Sequence, residues 1–214
     1  AHIAHEIRNP LTTISGSIEL LEEELRPTLS EKLATVMRAI VTESERVSGI
    51  FTQFLDYSKL DKLTYSSFSL HTLLDEILLL LENNNLTRRI VISKEYTDGD
   101  ISLEADNDRL RQVFWNIIRN ALEAMPDGGT FRIGTHTEGE YVHISFIDSG
   151  TGIDEAQWRK LFVPFHSTKR HGSGLGLVIA QKIIEKHGGH IRVTSTPRKG
   201  ASFVVILPRI RVGA

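Results

Sequence analysis

The sequence predicts an α+β chain. An antiparallel helical hairpin pairs with a second copy into a four-helix bundle, and an α/β sandwich with a mixed sheet follows. Three observations carry this reading. Apolar residues recur at alternating spacings of four and three from Ile7 through Leu11, Ile14, Ile18 and Leu21 to Leu25, the seam of a long helix. A polar, turn-rich stretch, Leu63 to Ser69, then breaks the helical period. Beyond it, strand-like and helix-like patterns are mixed.

The first helix keeps Glu19 and Glu22 to Glu24 on its wet side, and Pro10 inside it should kink it or loosen its first turns. It is expected to stop near Arg26-Pro27. Ser30 then caps a second helix carrying Leu33, Val36 or Met37, Ile40, Val47, Ile50 or Phe51, and Phe54, which fades near Leu60. A hairpin of about sixty residues in two layers cannot bury its apolar face alone. A second copy would cover it, which predicts a homodimer; packing against the downstream domain is the alternative.

The expected division is a hairpin at 1–62, a linker at 63–69 and a second domain at 70–214. Within the latter, Leu70 to Leu81 reads as a helix, and Arg88 to Glu95 and Ile101 to Ala105 as strands. Asp106 caps a periodic helix ending near Met125, where Pro126-Asp127-Gly128-Gly129 stops it. Thr130 to Thr137 and Tyr141 to Asp148 form a hairpin around Glu138-Gly139-Glu140. A helix from Gly174 to His187 and a strand pair, Ile191 to Ser195 and Ser202 to Leu207, complete the domain.

Composition narrows the function. A net charge of −2 gives no electrostatic case for nucleic acid or an anionic membrane surface. With no cysteine, disulfides, thiolate metal sites and a cysteine nucleophile are excluded. The longest strongly apolar run, Ile77 to Leu81, is far too short to span a bilayer, and no signal peptide is visible. The chain begins inside a helix pattern at Ala1, so a fragment is expected, cytoplasmic and without membrane contact of its own, with any sensor segment lying upstream.

The stretch from Asp148 to Leu177 points to chemistry. Asp148-x-Gly150-x-Gly152 and Gly172-x-Gly174-x-Gly176 flank a loop bearing Lys169, Arg170 and His171. Glycines let a ligand approach backbone N–H groups, and the second cluster runs into a helix whose N-terminus favours anions. A phosphate-bearing ligand fits, although plain turns are an equally common use of such glycines. Neither G-x-x-x-x-G-K-[ST] nor G-x-G-x-x-G is present. Asn116 and Asn120 lie one turn apart on a helix, where a neutral carbonyl oxygen suits Mg²⁺ and a surface role is the alternative. Asp148 ends an apolar strand and offers an acceptor to a base's amino group, or simply forms a turn. His5, beside Glu6, becomes the better nucleophile at Nε2 if the carboxylate takes its Nδ1 proton. His2, His71, His136, His143, His187 and His190 are read as solvated, His187 with a helix dipole to favour it.

Together these segments resemble a two-component sensor histidine kinase along almost the whole chain, in the family's order. His5-Glu6-Ile7-Arg8-Asn9-Pro10-Leu11 resembles the phosphoacceptor box, and Arg111 to Met125 the asparagine box. Asp148-x-Gly150-x-Gly152 and Gly172-x-Gly174-x-Gly176 resemble the two glycine boxes. Phe162-x-x-Phe165 with Ser167-Thr168-Lys169 resembles the phenylalanine box and nucleotide lid. The run from Asn120 to Gly129 and the short lid are most similar to the nitrogen-regulation-like branch.

The resemblance implies a dimerisation and phosphotransfer hairpin followed by an ATP-binding domain of the type shared with gyrase, chaperone and mismatch-repair ATPases. It implies that His5 attacks the γ-phosphate of ATP, with Glu6 as base or orienting group and Asn120 as Mg²⁺ ligand. Asn116 lines the phosphate end, Asp148 reads the adenine amino group, and Lys169 with Arg170 or His171 neutralises phosphate charge. The amides near Gly174 and Gly176 bind phosphate. The phosphoryl group then passes to an aspartate in the receiver domain of a response regulator, and Asn9 matches the position that orients water for dephosphorylating that partner. Where many members carry a lysine three residues after the second asparagine, this chain has Glu123. His166 stands where this branch more often has an aromatic residue. Two other readings are an ATPase that drives conformational closure without a phosphohistidine, and a non-catalytic dimerisation module.

Overall fold

The computed structural model describes residues 2–25, 29–58, 62–82, 89–97, 99–167 and 172–210, with side chains at 9–25, 29–55, 62–81, 89–97, 99–167 and 172–210. Helix α1 (His2–Leu25) runs unbroken through Pro10. Proline removes one helical donor there, and the Thr13 hydroxyl donates to the Asn9 carbonyl at 3.0 Å in the same turn. The turn at Arg26-Pro27 lies outside the described residues. Helix α2 (Glu31–Ser58) starts where expected, with the Leu33 amide donating to Ser30 Oγ at 3.3 Å.

The two helices pack through Leu11, Ile18, Met37 and Ser44, whose hydroxyl reaches the Leu11 carbonyl. A second stripe stays uncovered. Leu33, Ile40, Val47 and Phe54 recur at seven-residue spacing and are 45, 41, 39 and 42 % exposed, beside Ile14 and Leu21 on α1. The apolar residues thus split into one seam that closes the hairpin and one that faces away from it.

The remaining chain builds β1 (Ser66–Ser69), α3 (Leu70–Glu82), β2 (Ile90–Tyr96), β3 (Ser102–Ala105), α4 (Asn107–Glu123), β4 (Gly129–Glu138), β5 (Tyr141–Asp148), α5 (Glu155–Trp158), α6 (Gly176–Lys186), β6 (His190–Ser195) and β7 (Ala201–Pro208). Five strands form a sheet in the order β2-β4-β5-β7-β6, with β2 parallel to β4 and the other neighbours antiparallel. This is the mixed sheet that the pattern predicts. Helix α4 lays Leu110, Phe114 and Ile117 onto Ile133, Ile144 and Phe146, with the Phe114 and Phe146 ring centroids 5.7 Å apart. Helices α3 and α6 pack on either side, Leu74, Ile77, Ile179 and Ile183 being fully buried.

Two elements differ from the expectation. Part of the stretch read as linker, Ser66–Ser69, is strand β1, paired antiparallel with β3 in a small separate sheet. Its sequence, Ser-Ser-Phe-Ser, carries little strand propensity of its own, so the pairing rather than the side chains makes it a strand. Helix α5 also appears, too short to show periodicity, with the Gln157 amide donating to the Asp154 carboxylate at 2.8 Å. Among the described residues no helix is long and apolar enough to cross a membrane.

Candidate functional site

Helix α4 is the element on which the predicted site converges. Asp106 caps it, accepting from the Arg109 amide at 3.1 Å through Oδ1 and from the Thr64 amide at 2.7 Å through Oδ2. Its own amide donates to Nε2 of His187 at 3.0 Å, and Nδ1 of that ring lies 2.8 Å from the Ile183 carbonyl. This fixes the neutral tautomer, with Nδ1 protonated. Burial also lowers the His187 pKa, so His187 is an uncharged clamp between α4 and the end of α6. The expectation of a solvated imidazole favoured by the helix dipole is therefore corrected: at 5 % exposure the charged form is disfavoured.

Two and a half turns into α4, buried Asn116 donates through Nδ2 to the Gly176 carbonyl at 3.3 Å. The start of α6 thus sits directly on this side chain: a Cβ on Gly176 would stand in van der Waals contact with Asn116 Oδ1, at 3.4 Å. Leu175, the N-cap of α6, provides no side-chain cap, which leaves that helix start with amides for an anion. Asn120, the next turn along, is half-buried. Nε of Arg119 is buried without a hydrogen-bond partner, and lies 3.5 Å from the Glu123 carboxylate.

At its C-terminal end α4 meets the first glycine pair. A Cβ on Gly150 would come within 2.6 Å of the Ala124 carbonyl oxygen, which already accepts from the Thr151 amide at 3.1 Å. One on Gly152, which has positive φ, would fall 2.2 Å from the Thr196 carbonyl oxygen. These glycines thus have a protein-packing reason as well as the ligand reason read from the sequence. Asp148, at the end of β5, is 5 % exposed, and Oδ1 accepts from the amides of Gly150 at 2.9 Å and Ala201 at 3.3 Å. Burial raises its pKa, against the opposing effect of these two amides. Such a carboxylate is held where burial penalises its charge, a common mark of a functional site.

The second glycine cluster is tied to the loop before it. Gly174 has positive φ, and a Cβ there would come within 2.6 Å of the backbone of Phe165 and His166. Gly172 is half-buried beside it. Phe165, itself at positive φ, turns an exposed ring toward α2, with its centroid 6.4 Å from that of Phe54. Ser173 Oγ donates to the Gln53 side-chain oxygen at 2.6 Å. This contact between the loop and the helical hairpin was not legible from either segment alone. Lys169, Arg170 and His171 lie outside the described residues, as do the side chains of His5 and Glu6. Asn9 is exposed on α1.

The structure therefore brings Asn116 to Gly176 and Gly150 to the end of α4, and joins Asp148 to Gly150. Sequence reasoning missed Ala124, Thr196, Ala201 and His187, whose contributions depend on backbone groups or on burial.

Comparison with known proteins covers the same two segments of the chain. Residues 1–63 match the His Kinase A (phospho-acceptor) domain, and residues 105–211 match the histidine kinase-, DNA gyrase B- and HSP90-like ATPase. Sporulation kinase C of Bacillus subtilis is 34 % identical over 209 residues, covering 97 % of this chain and 48 % of its own length. The signal transduction histidine-protein kinase AtoS of Escherichia coli is 35 % identical over 210 residues, with 97 % and 34 % covered. The chain thus spans half the length or less of these curated relatives. Among solved structures, the catalytic domain of histidine kinase ThkA is 34 % identical with a TM-score of 0.64, covering 69 % of this chain and 97 % of that one. ThkA in complex with the response regulator protein TrrA aligns over 98 % of this chain and 60 % of that one at 34 % identity, with a TM-score of 0.73.

Proposed function

This chain belongs to the sensor histidine kinase family, of which it is a catalytic region with an ATP-binding domain, and on that premise we propose that it phosphorylates its own His5 from Mg-ATP. The observation that carries the reading is helix α4: it holds Asn116 against the uncapped start of α6 and backs the Asp148–Gly150 turn at its other end. An adenine amino group would donate to Asp148 Oδ2, since both amide donors fall on Oδ1. The phosphates would lie toward the α6 amides near Gly174 and Gly176, where the Asn116 side chain offers polar atoms. Phe165, Lys169 and Gly172 belong to the loop that would close over the nucleotide.

A neutral oxygen at Asn120 fits Mg²⁺, which takes most of its charge from phosphate oxygens; when bound, it would neutralise charge developing on the transferred group. In the transfer, the Nε2 lone pair of His5 forms a bond to the γ-phosphorus while the bond to the β–γ bridging oxygen breaks. ADP departs with that electron pair, and Glu6 takes the Nδ1 proton of the imidazole. The phosphoryl group then moves to an aspartate of a response regulator receiver domain, and Asn9 positions water for removing it again. The complex of ThkA with a response regulator supports this partner, and the exposed stripe at seven-residue spacing on α2 supports a homodimer.

Incubation with labelled ATP and Mg²⁺ is expected to give an acid-labile, base-stable phosphoprotein that His5→Gln abolishes and chelation of Mg²⁺ prevents. Label retained on the variant would mean another acceptor; ATP turnover with no phosphoprotein would support the conformational ATPase instead.

A further inference from the structure

The face of the five-stranded sheet turned away from α4 carries a group of side chains that the kinase chemistry does not use. On β4, Phe131, Ile133 and Thr135 point into the core, so Arg132, His136 and Glu138 point outward. His136 is directly opposite His143 of β5, and their rings stack with centroids 4.7 Å apart and planes 28° apart. Glu138, two residues along the same strand, therefore shares their face. Its carboxylate lies 3.4 Å from His143 Nε2. One ligand atom from each of the three residues falls within 4.8 Å of the others.

We propose that His136, Glu138 and His143 form a site for a borderline divalent transition metal of the Zn²⁺ class on the outer face of the ATP-binding domain. Two imidazoles and one carboxylate are the donor set that such ions share, whereas Mg²⁺ prefers oxygen alone. Ligand atoms about 2.0–2.1 Å from a tetrahedral ion stand roughly 3.3 Å apart, so the Glu138–His143 pair already has the required edge length. The remaining closure is small, and His136 and Glu138 are exposed, so side-chain rotation can supply it. The strands fix the rest: His136 and His143 are registered partners, and the turn around Gly139 places Glu138 one step beyond them.

His190 and Arg192, on β6, also act on His143 electrostatically and oppose a cation. Arg192 carries a full positive charge, so moderate affinity is expected. Three protein ligands leave the fourth position to water. The ion would clip β4 to β5 near their shared turn, at the far end of β5 from Asp148, so nucleotide binding should proceed independently of it.

The test is calorimetric titration of the untagged chain with ZnCl₂, alongside Co²⁺ absorption spectra, for the native protein and for His136→Ala, His143→Ala, Glu138→Gln and His190→Ala. The proposal expects one equivalent bound with a dissociation constant in the micromolar range and tetrahedral Co²⁺ bands. Affinity should fall at least tenfold in each of the first two variants and persist in His190→Ala. His136 is exposed, so its variant should keep the native thermal midpoint and remain informative if His143→Ala unfolds. Absence of binding below about 100 μM, or equal binding to native protein and His136→Ala, would overturn the assignment.

Discussion

Replacing Asp148 by Asn should separate stability from nucleotide binding, because the two place opposite demands on one atom group. The substitution keeps the shape and an Oδ1 able to accept from the amides of Gly150 and Ala201, and removes a charge from a residue that is 5 % exposed. Burial raises the carboxyl pKa in the folded protein. Between its ordinary value of 3.8 and that raised value, the native state binds more protons than the unfolded one, so stability falls as pH rises through this window. At neutral pH the charged side chain thus weakens the fold, by about 1.4 kcal/mol for each unit of the shift. Asp148→Asn should therefore raise the thermal midpoint of the nucleotide-free protein, by roughly 2–4 °C for each kcal/mol of penalty removed in a domain of this size. Binding should respond in the other direction. An amide nitrogen in place of Oδ2 would face the adenine amino group donor to donor, losing about 1–3 kcal/mol, or roughly five- to more than a hundredfold in affinity. Scanning calorimetry and ATP titration of the same preparations measure both effects. An unchanged ATP affinity would refute the adenine assignment, and a lowered midpoint would refute the claim that burial penalises the charge.

Three further outcomes are expected. The unfolded chain protonates His187 near pH 6.5, whereas the folded chain, with the pKa lowered by burial, does so only in more acid solution. The unfolded state therefore binds more protons just below pH 6.5, and stability should decline as pH falls through that value. Burial and then His136 lower the His143 pKa as well, adding a contribution of the same sign. Urea midpoints measured from pH 7.5 to 5.5 should show the decline, with a smaller slope and a loss of about 1–3 kcal/mol in His187→Ala, whose Asp106 amide loses its acceptor. A flat native profile would contradict this account. Ile40→Glu, which puts a charge in the middle of the exposed α2 stripe, should shift the protein from dimer to monomer in sedimentation while leaving ATP binding unchanged. Finally, Glu123→Lys should break the ion pair with Arg119, exchange a negative for a positive charge and tighten ATP binding several-fold at low salt, a gain that should shrink at high salt; weaker binding would place residue 123 away from the phosphates.

Which parts of this molecule could be read from its sequence follows from the range of the interactions that make them. The strand from Tyr141 to Asp148 appears with the expected limits because its alternation is a local consequence of one buried face. Asp106 and Ser30 were legible as caps for the same reason: a cap acts within three residues. Strand β1 was not, because only β3, more than thirty residues away, makes Ser66–Ser69 extended. His187 has the same explanation: its neighbours in sequence suggest a helix end facing water, and only the distant Asp106 amide and the surrounding core make it a buried, neutral acceptor. For the site, residue type and spacing left Asn116 and Asp148 with surface or turn roles as alternatives; the burial of both, against Gly176 and Gly150, is a tertiary property that spacing does not carry. The reasons for glycine at 150 and 152 were hidden, because the atoms a Cβ would strike belong to Ala124 and Thr196.

Phe54 shows how the two halves of the chain can influence each other. It is the last member of the stripe formed with Leu33, Ile40 and Val47, and its ring is also the one that Phe165 approaches from the loop preceding Gly174. An aromatic pair of this kind contributes about 0.5–1.5 kcal/mol beyond its buried area, and the Gln53–Ser173 hydrogen bond about as much again. Interactions of this size shift a population several-fold without locking it. That suits the proposed transfer, in which a domain tethered at an effective concentration in the millimolar range would both rest against the helices and leave that position to reach an acceptor. A rotation of α2 that changes how Phe54 meets a second copy would also change what it offers Phe165. In the proposed dimer, control of transfer would then need no signal passing through the core of the ATP-binding domain, only that one ring be shared between the α2 stripe and the loop.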